Sequence, residues 1–218
     1  MILLAIDTAT ECCSAALWVD GKLYQRSTVQ PRLHAELILP FIDELLTEAG
    51  IQKKNIQGLV VGQGPGAFTG VRIGVGVAQG LALALNIKVA AVSNLKTLVY
   101  TAYKQLQTDK RQTIVVATDA RMSEVYSASY SVQGCEITQL TDEVVGNARH
   151  VNLSDIDAYI GSGFAVYPEL MAYAKQHPMH YDVNVYSQAK DMLLLVKDDF
   201  KQLATHIDEI EPVYLRQP

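Results

Sequence analysis

Cysteine is scarce in this 218-residue chain, present only as Cys12, Cys13 and Cys135. No two of them have C-x-x-C spacing, and neighbours on a strand point to opposite faces, so Cys12 and Cys13 make a poor disulfide. A disulfide framework and a cysteine-based zinc module are both excluded. Basic residues are few as well: 18 Lys and Arg stand against 23 Asp and Glu, a net charge of −5. A protein that grips nucleic acid alone carries a basic face, so a stand-alone RNA-binding module is disfavoured. The most apolar stretch, Ile73–Leu85, is interrupted by Gln79 and falls short of the ~20 residues of a membrane span. The opening MILLAIDTAT lacks a basic n-region and reaches Asp7, so no secretory leader is expected and the cytoplasm is the expected compartment. There is no Walker loop, no dinucleotide fingerprint and no G-x-S-x-G elbow.

What is present is ordinary globular composition, 49% hydrophobic and 19% charged, in a chain long enough for two small lobes. Residues 1–7 read as a buried strand ending in Asp7. Residues 12–19 and 22–29 read as a hairpin about Asp20-Gly21. A helical pattern runs from Leu33 to Ala49 and stops at Gly50. A strand at 57–62, a Gly-Pro-Gly loop, a helix from Val71 to Leu85 and a strand at 88–92 follow. The order then restarts. Val115-Val116-Ala117-Thr118-Asp119 matches Leu3-Leu4-Ala5-Ile6-Asp7, with a strand at 124–131 and a turn at Gln133-Gly134 behind it. A strand ending at Ile160, a Gly161-Ser162-Gly163 turn and a helix over 165–176 complete the second half. Residues 188–204 read as one more helix. The expected lobes are 1–106 and 107–218, divided at the polar stretch Lys104–Gln112.

Paired strands ending in Asp before a tight hairpin are the mark of the phosphate-binding turns of the ASKHA (actin-like ATPase, RNase H-like) superfamily. There, turn amides and hydroxyls cradle phosphate while carboxylates face metal-bound water. The fold expectation is therefore α/β, with two duplicated β-β-β-α-β-α lobes. If a vestigial nucleotide site is kept, Asp7, Thr8, Thr10, Asp119, Arg121, Gly161 and Gly163 are the residues expected to form it. A lone Asp after a strand only starts a turn, and Ala9 stands where a glycine would let phosphate approach. The loop Gly62-Gln63-Gly64-Pro65-Gly66-Ala67-Phe68-Thr69-Gly70 opens a helix. It reads equally as an anion site or as a close-packed turn.

GQGPGAFTGVRIGVGVAQGLA, with IDTAT before it, DARMSEVY in the middle and EPVYLR near the end, closely resembles the TsaB (YeaZ) family of tRNA threonylcarbamoyladenosine (t6A) synthesis. The match is dense over 1–130, sparse over 135–205 and returns at Glu211–Arg216. The resemblance implies an ASKHA-fold paralogue of the catalytic subunit TsaD that works with it and the ATPase TsaE. It also implies pairing through the first two helices as a homodimer in isolation and as a heterodimer with TsaD. Asn94 and Leu98 occupy the places where the catalytic sibling carries two histidines, and leucine cannot ligate metal. No catalytic or metal residue is therefore assigned. His177 and His180 flank Pro178 and read as loop residues rather than ligands.

The first helix supports a binding surface independently. At 100° per residue, Phe41, Leu45, Ile38, Ala49, Ile42, Ala35, Leu46 and Leu39 fill about 160°, and Leu37 widens this to about 200°, more than an ordinary surface helix needs. The expected partner interface is His34, Leu37, Ile38, Phe41, Leu45, Arg72, Ile73, Gly76, Gln79 and Gly80. The leading expectation is a non-catalytic activator of TsaD that requires no cofactor of its own, with ATP or ADP held in the complex and tRNA reached only through it. The alternative is a stand-alone ASKHA phosphotransferase or ATPase using Asp7 and Asp119 with magnesium.

Overall fold

The computed structural model describes residues 1–179 and 182–216, so His180 lies outside the described residues. Apolar alternation and one turn build the first sheet. Strands β1 (Ile2–Asp7), β2 (Cys12–Val19) and β3 (Lys22–Val29) form an antiparallel meander. Its β2–β3 turn is closed by Asp20 and Gly21, both at positive φ as a tight hairpin of this twist requires. β4 (Gly58–Gly62) and β5 (Lys88–Val92) extend β1 in parallel, giving the order β3-β2-β1-β4-β5. Helices α1 (His34–Ala49) and α2 (Phe68–Leu85) cover one face, where Leu4, Ile6, Leu59 and Val61 meet Ile38, Ile42, Leu45, Val75 and Ala78. Gly50, at φ 68, closes α1 by donating its N–H to Leu46 and Thr47 carbonyls.

A helix absent from the expected order, α3 (Asn94–Leu106), begins the second unit. Its Leu95, Leu98, Val99, Ala102 and Tyr103 recur at helical spacing and pack on β6 (Gln112–Arg121), β7 (Glu124–Gln133) and β10 (Ala158–Ile160). β8 (Glu136–Gln139) and β9 (Val144–Asn147) both pair with β7, and β10 lies parallel to β6. The order β10-β6-β7-β8 repeats β4-β1-β2-β3 of the first sheet. The repeat is incomplete: after the third strand, where α1 stands in the first copy, there is only β9 and a 3-10 turn at Ala148–His150. The helix expected over 165–176 is divided into α4 (Gly163–Val166) and α5 (Pro168–Gln176), because Pro168 has no N–H and starts a new helix.

The expected boundary at 106/107 differs from the packing. The compact units are residues 1–94 with 187–213, and 95–186 with the segment from 214. The reason is that α3 gives its apolar face to the second sheet. Conversely α6 (Ala189–Val196) and α7 (Phe200–Leu203), read as one helix over 188–204, return to the first. There Met192, Leu193, Val196 and Phe200 cover Leu3, Ala5, Ala16, Val60 and Ala90, the face opposite α1 and α2.

Candidate functional site

The end of β1 carries the first predicted carboxylate. Asp7 is wholly buried, and both its oxygens are occupied from within the first unit. Its Oδ1 accepts the Ala9 N–H at 3.0 Å and the Asn94 Nδ2 at 3.0 Å. Its Oδ2 accepts the Ser187 hydroxyl at 2.6 Å and the same Asn94 amide at 3.1 Å. Burial pushes its pKa up, against the hydrogen bonds from Ser187, Ala9 and Asn94 and the nearby His34. A methyl at Gly62 would stand 2.7 Å from Asp7 Oδ1 and 3.1 Å from Asn94 Nδ2, so the carboxylate has no open side toward β4. Neither Asn94 nor Ser187 was singled out as a partner of Asp7 from sequence, since they lie 87 and 180 residues away from it.

The turn after Asp7 is packed shut against the glycine loop. The Thr8 hydroxyl donates to Gly70 O at 2.7 Å, and Ala67 N–H donates to Ala9 O at 2.7 Å. At Gly70 an added methyl would fall 2.1 Å from Thr8 O, so this glycine serves close packing. Thr10 O meets His34 Nε2 at 2.8 Å, which ties the turn to the start of α1. The loop amides of Gln63, Gly64 and Ala67 bond Val92 O, Asn94 Oδ1 and Ala9 O. Of the two readings left open for this loop, the geometry fits the close-packed turn.

The second carboxylate sits in the second unit and is also occupied. Asp119 Oδ1 accepts the Tyr167 hydroxyl at 2.6 Å and the Arg121 N–H at 2.8 Å, while Oδ2 pairs with the Arg121 guanidinium at 2.9 Å. Burial and then the Asp119 carboxylate push the Tyr167 phenol up to about 12. Gly161 and Gly163 press on Ala117 O rather than lining an open cradle. From the family motif near the end of the chain, Arg216 reaches Ala120 O at 3.0 Å and Glu124 Oε2 at 2.5 Å. The β6–β7 tip it holds is costly: Arg121, Met122 and Ser123 all have positive φ, and Met122 is 81% exposed. A tight hairpin of this kind favours Asn-Gly, which tolerates the left-handed region. Replacing Met122-Ser123 by Asn-Gly is expected to stabilise the chain by about 1–2 kcal/mol, read as a higher urea midpoint at unchanged slope.

The predicted helix interface divides in two. His34, Ile38 and Leu45 are 8%, 0% and 0% exposed and belong to this chain's own interior, so they cannot face a partner. An apolar arc on a helix does not say which half turns inward, and α1 turns these three toward the sheet. Leu37, Phe41 and Ile73 are half-buried, while Arg72, Gly76, Gln79 and Gly80 are exposed. Exposed Leu39, Phe68 and Leu83 join the surface; Leu39 lies in the apolar arc of the first helix but outside the expected interface, and Phe68 and Leu83 lie outside both. The available signal for the α2 pair was spacing: 68, 72, 76, 80 and 83 form one stripe. Arg72 stacks on the Phe68 ring at 3.6 Å. A methyl at Gly76 or Gly80 would meet nothing within 4 Å, so no packing within the chain calls for glycine there. By length and composition α2 could cross a membrane, yet Val71, Val75, Ala78 and Ala82 are buried against the first sheet.

Among the described residues no group of three or more His, Cys, Asp or Glu could hold a metal ion. His177 stacks on Tyr173 with ring centroids 4.2 Å apart.

Residues 27–211 match the family model of TsaD, tRNA N6-adenosine threonylcarbamoyltransferase. The chain is 37% identical to the tRNA threonylcarbamoyladenosine biosynthesis protein TsaB of Escherichia coli, over 99% of this chain and 95% of that one. Its identity to the Haemophilus influenzae TsaB is 34%, over 99% and 94%. Among solved structures, YeaZ from Pseudomonas aeruginosa superposes with a TM-score of 0.84 at 36% identity, covering 98% of this chain and 99% of that one. With near full-length identity of this order and the same actin-like fold, the chain belongs to the TsaB (YeaZ) family.

Proposed function

We propose that the chain acts in t6A synthesis on tRNA as a non-catalytic partner of the TsaD subunit. The observation that carries this reading is the state of Asp7: both oxygens are bound by Ala9, Asn94 and Ser187 inside a buried network, with no lone pair turned toward a substrate. A carboxylate so enclosed stabilises a fold and does not coordinate metal-bound water. On this reading TsaD supplies the chemistry, TsaE the ATPase step, and tRNA meets the chain only through the assembly. The complex, not this chain, holds ATP or ADP, and the setting is the cytoplasm. The docking face is the exposed side of α1 and α2, where Leu39, Phe68 and Leu83 leave apolar surface unburied. The isolated chain is expected to pair with itself through the same face and to exchange this for TsaD.

The test is a drop-out reconstitution with TsaD, TsaE, ATP, the threonylcarbamoyl-adenylate donor and unmodified tRNA. Product nucleoside is expected only when the chain is present, and none from the chain without TsaD. Product at an equal rate without the chain would overturn the reading. So would magnesium-dependent ATP hydrolysis by the chain alone that disappears in Asp7→Ala.

A further inference from the structure

The chain leaves the first unit after Asn94 and re-enters it at Ser187, and these two residues are the ones that grip Asp7. Asn94 Nδ2 lies 3.0 and 3.1 Å from the two carboxylate oxygens, Ser187 Oγ lies 2.6 Å from one of them, and Asn94 and Ser187 are 2.8 Å apart. All three side chains are buried. The outgoing crossing is anchored further by Gly64, whose N–H donates to Asn94 Oδ1 and whose carbonyl accepts the Asn94 N–H. The returning crossing has one more tie, from Ala189 N–H to Ser14 Oγ at 2.9 Å.

We infer that Asp7 is a lock that couples the two chain crossings, so that neither can loosen without the other. The crossings are 93 residues apart in sequence, and nothing covalent near them transmits a disturbance. The shared carboxylate does, together with the direct Asn94–Ser187 hydrogen bond it holds in place. Its two oxygens serve as common acceptor for both, in a space that Gly62 keeps closed from below. Loss of one donor leaves the acceptor partly unsatisfied and frees it to shift, which withdraws it from the other donor as well. The inference concerns the chain's own architecture and stands whether or not TsaD occupies the α1–α2 face.

Hydrogen exchange on the full chain tests it. Ser187→Ala is expected to speed exchange of the amides at 94–97 by on the order of tenfold, together with those at 187–190, while α1 and α2 keep their wild-type rates. Asn94→Ala is expected to act reciprocally on 187–190. Should Ser187→Ala fail to fold, Ser187→Cys keeps the volume with a weak donor and is expected to give the same pattern at smaller size. Acceleration confined to 187–190, acceleration spread evenly over the first unit, or wild-type rates at 94–97 would each overturn the lock.

Discussion

Asp7→Ala is expected to lower stability by about 3–5 kcal/mol, and Asp7→Asn by a smaller amount, about 1–3 kcal/mol. The alanine strands three buried donors, the Ala9 N–H, the Asn94 amide and the Ser187 hydroxyl. Each costs about 1–3 kcal/mol when left unmade, less what the existing Asn94–Ser187 hydrogen bond already satisfies. Asparagine keeps an acceptor at Oδ1 for Ala9 and Asn94, but sets an amide donor where Oδ2 accepts from Asn94 and Ser187, so it loses part of the network. The pH dependence separates the two carboxylate states. Because burial raises the Asp7 pKa above its ordinary value, the folded chain holds this proton more tightly than the unfolded chain. Stability from this group is therefore greatest below the ordinary carboxylate range and falls as pH rises from that range through the raised value. Asp7→Asn is expected to lack that fall. Urea unfolding of the three proteins across pH measures it. A stable Asp7→Ala would remove the structural role assigned to this carboxylate.

The second large effect concerns the α2 stripe. Gly76→Ala and Gly80→Ala are each expected to stabilise the isolated chain by roughly 1 kcal/mol, since glycine is costly in a helix interior and the added methyl meets open space. Gly80→Leu fills the same open space, so the folded chain should tolerate it, but the added bulk keeps another helix from approaching closely. Self-association by sedimentation and co-purification with TsaD are both expected to weaken by at least about a hundredfold, a loss typical of an interface centre. Gly80→Leu with undiminished pairing would move the docking face elsewhere. Ile38→Asp is a poor probe of the same face, because Ile38 is fully buried and a charge there attacks the fold first.

Local signals explain how much of this was legible. The strand ending in Asp7, the Asp20-Gly21 hairpin and the Gly50 stop all act within a few residues, and each stands where the pattern put it. The repeated strand order was legible because Asp7 and Asp119 sit in matching apolar runs. The partners of Asp7 were not, for a polar residue carries no periodicity and its target can lie anywhere in the chain. Helix α3 is hidden although Leu95, Leu98, Val99, Ala102 and Tyr103 repeat at helical spacing, because the polar stretch from Lys104 looks like a boundary while its first residues extend the helix. The single helix expected over 188–204 breaks between Val196 and Phe200 with no Pro or Gly to mark it.

The return of α6 to the first sheet has a consequence for biosynthesis. When the ribosome has produced residues 1–106, α1 and α2 can already cover one face of that sheet. Leu3, Ala5, Val60 and Ala90 on the other face await Met192, Leu193 and Phe200, which are translated only after the second sheet. The nascent lobe must therefore wait, half-clothed, until the intervening second sheet has been made. A truncation at the position that looks like a boundary in the sequence would release an aggregation-prone fragment rather than an autonomous domain.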